Sequence, residues 1–378
     1  MHFALSDDQV MFQETARRFF ADAGGTAVAR RVMAGDREAA VRLWRQMGEL
    51  GFMAIAVPTA YGGAGEGTLS LVPVLEEAGR VLAPGPLPET VGFAVPLLVR
   101  AGTPQQRERY LPGIASGQAA WTLALDEPGR EAFAGEVGLS AVATGDGWRL
   151  TGEKHLVVHA EMATRLVVLA RTHPGADGEG TALFLVDPRA DGVTLAEERA
   201  LDQTRPLWHV RFDGVAVADA DRLGPDGAGW ALVRTGYETL AAAVVAASVG
   251  GMERCVELSA EHAKTRVQFG QPIGRFQAIK HRIVDMQVDL ESARSLSYYA
   301  AWALDEDAPD RAVAVSNAKA FVSEAYVRVA QANVQTHGGM GFTWDADPHL
   351  YVKRAKAWAP YAGSVGDHLE RVAAAEGW

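Results

Sequence analysis

The sequence predicts an α+β protein in three parts: a helical segment over residues 1–118, a β segment over 119–228 and a second helical segment over 229–378. Three observations predict it. Apolar residues in the first part recur at helical spacing, the middle part breaks into short β-like runs between Gly, Asp and Pro turns, and the last part carries long Ala-rich helical periodicity. In the first helix Phe12, Phe19 and Phe20 share one side, with Ser6 or Asp7 as N-cap. A second helix carries Leu43, Trp44, Met47 and Leu50, and Gly51 ends it. Turns follow at Pro58 and at Tyr61-Gly62-Gly63-Ala64-Gly65. A further helix opens at Thr103-Pro104, because proline at the first helical position costs no hydrogen bond. The runs Trp121 to Leu125, Arg165 to Ala170, Ala182 to Val186 and His209 to Phe212 read as strands of a compact barrel or sandwich. Ile283 to Leu304 and Ala312 to Gln335 read as long helices.

Composition narrows the function. With 378 residues, 48% of them hydrophobic, the chain is too long for one ordinary core and too apolar for disorder. A net charge of −11 without any Lys/Arg run argues against nucleic acid as a partner, since phosphate backbones require clustered positive charge. One cysteine, Cys255, excludes an internal disulfide, and in its Ala-rich surroundings it reads as a buried filler. The first ten residues carry Asp7 and Asp8 and lack the basic and apolar regions of a signal peptide, so a cytoplasmic location is expected. The apolar stretch Leu240 to Val249 is half the roughly 20 residues a membrane span needs and reads as a buried helix.

Several chemistries lack their residues. Tyr61 to Gly67 has no Gly-Lys-Ser/Thr ending, no Gly-x-Gly-x-x-Gly opens a βαβ unit, and no Gly-x-Ser-x-Gly elbow is present. His155 and His159, near Glu161, stand four apart in a β-like run, where such side chains are about 13 Å distant, so they read as surface histidines and no metal is expected. Two C-terminal segments are less ordinary: Arg266-Val267-Gln268-Phe269-Gly270-Gln271-Pro272-Ile273-Gly274 and Gln335-Thr336-His337-Gly338-Gly339-Met340-Gly341-Phe342. Each is a plausible helix-ending turn. Each also suits a nucleotide, because Arg266 offers a bidentate partner for phosphate and Gly338 and Gly339 let a ligand lie against the backbone.

Together and in this order these segments resemble the flavin-dependent acyl-CoA dehydrogenases. The likeness covers nearly the whole chain, through Leu5-Ser6-Asp7-Asp8-Gln9, Leu50-Gly51-Phe52, Val57-Pro58, Tyr61-Gly62-Gly63, Gly152-Glu153-Lys154 and Phe212 to Leu223-Gly224. It implies an N-terminal helical domain, a middle β domain and a C-terminal four-helix bundle. It also implies FAD as cofactor, an acyl-CoA thioester as substrate and an electron-transfer flavoprotein as acceptor. In the family a glutamate removes the α-proton while the β-hydride passes to flavin N5. The Arg-x-Gln-Phe and Gln-x-His-Gly-Gly segments hold the ADP half of a flavin bound chiefly by the neighbouring subunit. The residues this assigns to FAD are Arg266, Gln268, Phe269, Ile273, Gln335, Gly338 and Gly339.

The same resemblance exposes departures. Tyr361-Ala362-Gly363-Ser364 stands where the usual base motif reads Tyr-Glu-Gly-Thr, and Leu240 occupies the alternative base position, so no catalytic acid is assigned. Glu238 should face away from a site that Leu240 faces, two residues on a helix turning about 200°; Asp367 is about one turn beyond Ala362. Asp126-Glu127-Pro128-Gly129-Arg130-Glu131 and Leu156-Val157-Val158 replace segments that in the family hydrogen-bond the flavin ring and phosphates. This pattern implies the base-less subunit of an α2β2 acyl-CoA dehydrogenase, paired with a catalytic sibling and acting on a bulky, steroid-type acyl-CoA. Two alternatives stay open: a homotetrameric flavoenzyme with Glu238 or Asp367 as displaced base, and a flavin-free binding or scaffold protein of the same fold.

Overall fold

The computed structural model describes residues 5–130, 135–175 and 178–378. Ser6 starts helix α1 (Asp7–Asp22): its hydroxyl accepts from the Gln9 N–H at 3.2 Å while Gln9 Oε1 accepts from the Ser6 N–H at 3.0 Å. This reciprocal cap leaves Asp7 and Asp8 in the first turn, where the helix dipole favours acids. Next come α2 (Thr26–Met33), α3 (Arg37–Glu49), α4 (Thr68–Arg80), α5 (Leu87–Glu89), α6 (Val95–Ala101) and α7 (Pro104–Ala115). Helix α3 is capped by Asp36, and the chain leaves it at Gly51, whose φ of 76° suits glycine. Helix α7 begins with proline behind a Thr103–Gln106 capping box.

The middle of the chain forms β1 (Trp121–Ala124), β2 (Ser140–Thr144), β3 (Gly147–Val158), β4 (Arg165–Arg171), β5 (Thr181–Val186), β6 (Val193–Glu198), β7 (Leu207–Ala218) and β8 (Arg222–Leu223). They make one eight-stranded sheet in the order β6-β7-β3-β2-β4-β5-β8, with β1 parallel beside β4. The long β3–β7 pairing shifts register twice, between Leu150 and Gly152 and between Lys154 and Val157, as bulged strands do when they bend. Leu150, Val157, Leu166, Val168, Phe184 and Phe212 fill the core on this sheet.

The last part comprises α8 (Gly229–Thr265), the two-residue strands β9 (Val267–Gln268) and β10 (Gln271–Pro272), α9 (Gln277–Asp305), α10 (Arg311–His337), α11 (Pro348–Trp358) and α12 (Val365–Glu376). By contact the chain divides into two compact units. The first holds residues up to Arg30, Thr68–Ala83 and Ala241–Trp378; the second holds Arg31–Gly67 and Pro84–Leu240. The second contains the sheet. In the first, α10 packs against α9, α11 and α12. Helix α8 meets α4 backbone to backbone: a Cβ on Gly250 would lie 1.7 Å from the Glu76 carbonyl oxygen, and one on Gly79 would lie 1.8 Å from that of Ala247. Only glycine permits this approach. Helix α8 is long and apolar enough to cross a membrane, but 83% of its apolar window is buried, as the reading of Leu240 to Val249 as a core helix requires. Cys255, on the same helix, is fully buried, and burial pushes its thiol far above the ordinary range.

The tight α4–α8 contact leaves charge inside the first unit. Glu76 is fully buried; Arg294 Nε stands 3.8 Å from its carboxylate and the Tyr298 hydroxyl is beside it. Desolvation dominates, and the carboxyl is pushed up to about 8.

Candidate cofactor-binding site

All seven residues assigned to FAD lie in the first unit, and two helix ends bring them together. Helix α8 ends as the Arg266 N–H bonds the His262 carbonyl at 2.8 Å, and the chain turns through the β9–β10 hairpin, pairing Gln268 with Gln271 and Val267 with Pro272. Its two turn residues, Phe269 and Gly270, have φ of 51° and 76°, as tight hairpins demand. For glycine this is free, whereas for Phe269 it is strained, and the residue stands 93% exposed with an edge contact to the Phe276 ring. The Ile273 N–H closes the loop on the Arg266 carbonyl at 2.8 Å.

Helix α10 delivers the second segment. Gln335 lies exposed in its last turn, and Gly338 stops the helix at φ 62°, ψ −143°, a conformation for glycine alone. The three glycines that follow differ in what confines them. A Cβ on Gly341 would meet the Val334 carbonyl oxygen at 2.7 Å, so Gly341 is needed for packing. Gly338 is needed for its backbone angle. Gly339 has neither constraint: its φ is ordinary and a Cβ there would meet nothing within 4 Å.

A contact the sequence reading missed holds the two segments side by side. The imidazoles of His262, in the last turn of α8, and His337, at the end of α10, stack with centroids 4.3 Å apart and planes inclined 26°. One turn earlier the Ser259 hydroxyl donates to Asn333 Oδ1 at 2.9 Å. His262 carries no sequence signal of its own; its position four residues before Arg266 is visible only once α8 is known to end there. Among the described residues the Arg266 guanidinium forms no ion pair, and Arg266, Gln268, Phe269, Gln335, Gly338 and Gly339 are all exposed, with Ile273 half-buried. A free guanidinium, an exposed amide and open space over Gly338 and Gly339 fit the diphosphate and adenosine half of a dinucleotide.

The base positions are different in kind. Ala362 is buried, with φ 61°, and its carbonyl accepts from His368 Nε2 at 3.0 Å. The fully buried Lys319 supports its loop, its Nζ lying within hydrogen-bonding distance of the carbonyls of Trp358, Ala359 and Gly363 at 3.2, 3.0 and 3.3 Å and of Ser323 Oγ at 2.8 Å, four partners for at most three N–H groups. Burial brings this amine down to about 7. Asp367 is committed to capping α12, its Oδ2 accepting from the Ser364 amide at 2.8 Å and the Ser364 hydroxyl at 2.6 Å. Leu240, in the second unit, is fully buried, and Glu238 is half-buried two residues before it.

The segments that the resemblance sets over the flavin ring lie in the second unit and are likewise apolar or engaged elsewhere. Leu156 has φ 54° and is 44% exposed, and the Val158 carbonyl accepts from the Thr122 hydroxyl at 2.7 Å. Glu127 anchors its segment internally: it pairs with the buried Lys154 at 2.6 Å and accepts from the amides of Gly138 and Leu139 at 2.7 and 3.0 Å. Burial raises the Asp126 carboxyl, against the pull of His155 and Lys154. Glu131 lies outside the described residues. One expectation is corrected here: His159 is not a surface residue. It is fully buried, its Nε2 accepting from the Gly85 N–H at 2.9 Å, which leaves the proton on Nδ1 to donate to Glu161 at 3.1 Å. His159 lies one residue past β3 in a turn with φ 48°, so the side-chain spacing of an ideal strand does not apply to it.

Comparison with known proteins shows the family. The chain matches the family models described as acyl-CoA dehydrogenase N-terminal domain over residues 6–118, middle domain over 122–215 and C-terminal domain over 227–376. It belongs to the acyl-CoA dehydrogenase family, whose members are FAD-dependent oxidoreductases. It is 33% identical over 353 residues to the acyl-CoA dehydrogenase FadE27 of Mycobacterium tuberculosis, covering 89% of this chain and 87% of the relative. The butyryl-CoA dehydrogenase structure from Megasphaera elsdenii superposes with a TM-score of 0.92 at 26% identity, covering 100% of both chains. A structure described as the FAD complex of PigA superposes with a TM-score of 0.90 at 25% identity, over 100% of this chain and 99% of that one.

Proposed function

We propose that this chain is the base-less subunit of a mixed acyl-CoA dehydrogenase complex, α2β2 in composition. In it Arg266, Gln268, Phe269, Ile273, Gln335, Gly338 and Gly339 reach across the interface to the ADP half of the FAD in a sibling's active site. The observation that carries this reading is an asymmetry within the chain. The dinucleotide segments are complete and presented on an open surface, while Ala362 and Leu240 are apolar and buried and Asp367, five residues beyond Ala362, caps a helix. General-base chemistry needs a carboxylate within hydrogen-bonding reach of the α-proton, and neither position supplies one. FAD accepts the hydride when bound; this chain's own part is to hold the dinucleotide and exclude water from its phosphates.

The complex acts in this reading on a bulky, steroid-type acyl-CoA, the surrendered pseudo-site leaving room for the other, and passes electrons to an electron-transfer flavoprotein in the cytoplasm. The three-part division at 1–118, 119–228 and 229–378 belongs to the same proposal. The test is purification of this chain alone and co-expressed with its sibling. Colourless protein alone and a flavin-loaded, active complex with about one FAD per αβ pair are expected. A yellow, active homo-oligomer of this chain overturns the reading, and so does protein that stays flavin-free under both conditions.

A further inference from the structure

Resting on the proposed role of this surface in holding the ADP half of FAD, we infer that the stacked His262–His337 pair is part of the diphosphate site and takes up a proton when the diphosphate binds. The geometry gives the reason. His337 Nδ1 lies 2.9 Å from the Asn333 carbonyl, which can only accept, so Nδ1 carries a proton. In the neutral ring the remaining nitrogen, Nε2, is then a lone-pair acceptor and repels a phosphate oxygen. It becomes a donor only in the imidazolium form. The ring stands one residue before Gly338, with the open space over Gly338 and Gly339 directly following.

The surroundings of the pair are cationic. His262 faces His337 at 4.3 Å, and Arg266 closes α8 one turn on. Arg275 follows Gly274, where the 273–275 turn packs on Ala263. Glu261, the adjacent acid on α8, is turned to Arg254 at 3.5 Å. Burial, His337 and Arg266 each hold His262 below its ordinary value. Without an anion His262 therefore resists protonation. A diphosphate reverses that balance: two or more negative charges beside two stacked imidazoles and a guanidinium stabilise the protonated pair. Linkage then makes binding stronger as pH falls, with affinity changing by up to about tenfold per pH unit for one coupled proton.

The experiment measures flavin retained by the co-purified complex after gel filtration between about pH 5.5 and 8.5, the range in which histidine titrates. Wild type, His337→Asn, His262→Asn and Arg266→Ala are compared, with circular dichroism confirming the fold of each. Asparagine keeps an N–H for the Asn333 carbonyl but cannot become a cation. Expected are retention that falls steeply with rising pH in wild type and a flattened profile in both histidine variants. A wild-type profile that is flat, or histidine variants that track it, overturns the proton-linked role and leaves the shared-site reading intact if Arg266→Ala still loses flavin. Retention indifferent to Arg266→Ala overturns both.

Discussion

Replacing Glu76 by glutamine tests how the first unit accommodates charge beneath the α4–α8 contact. The carboxyl titrates at about 8 in the folded chain against 4.5 when unperturbed. A carboxyl raised in this way binds its proton more tightly folded than unfolded. Its stabilising contribution is thus complete below pH 4.5 and is lost as the pH rises through 8. A difference of about 3.5 units at 1.36 kcal/mol per unit is on the order of 5 kcal/mol, and Glu76 is fully buried, so solvent does not screen it away. Glutamine has the same shape and no proton to lose. Urea unfolding of both chains, followed by tryptophan fluorescence across this pH range, should show a stability difference that is small in acid and widens in favour of Glu76→Gln by roughly 3–5 kcal/mol toward pH 8. His368, held down to about 4 by burial, titrates in both proteins, and its opposite contribution cancels in the comparison. A difference that stays flat with pH refutes the reasoning: Glu76 would then be ionised in the folded chain, with Arg294 compensating its burial.

Three further substitutions probe the same unit. Lys319→Met removes an amine that titrates at about 7 folded and 10.5 unperturbed, so the rise in wild-type stability expected between those values, on the order of 5 kcal/mol, should disappear from the variant's denaturation profile. Gly339→Ala and Gly341→Ala should separate ligand from fold. The first raises the melting temperature slightly and lowers flavin retention in the complex, whereas the second, meeting the Val334 carbonyl at 2.7 Å, costs on the order of 1–3 kcal/mol in thermal unfolding. Equal melting temperatures for the two glycine variants would contradict the packing argument.

Much of the fold was legible because its signals are local. Ser6 and Gln9, Thr103 and Pro104, and the apolar spacing of α9 and α10 each determine structure within a few residues of themselves. The hairpin of β2 and β3 was less visible: β3 alternates buried and exposed residues only in part, and its bulges break the period that marks a strand. The site divides the same way. Arg266 and the glycines stand out as residues, but the stack of His262 on His337 joins positions 75 apart in sequence, and only the packing of α8 along α10 brings them together. The inward turn of His159 is equally non-local, depending on an amide at Gly85.

The glycine-rich turn after α10 gives the strongest internal argument for a missing neighbour. A chain folding for its own stability gains from replacing an unconstrained glycine, because alanine reduces the freedom of the unfolded state at no native cost. Gly338 and Gly341 have native reasons to resist that change, one of angle and one of space. Gly339 has none among the described residues, where Arg266 on the preceding segment forms no ion pair and the strained Phe269 is almost fully exposed. The strained backbone at Phe269 costs stability where it stands, while the exposed Arg266 guanidinium is hydrated and available to an anion. A dinucleotide held jointly with a second subunit, as proposed above, would cover the charge, the open backbone and the aromatic ring at once.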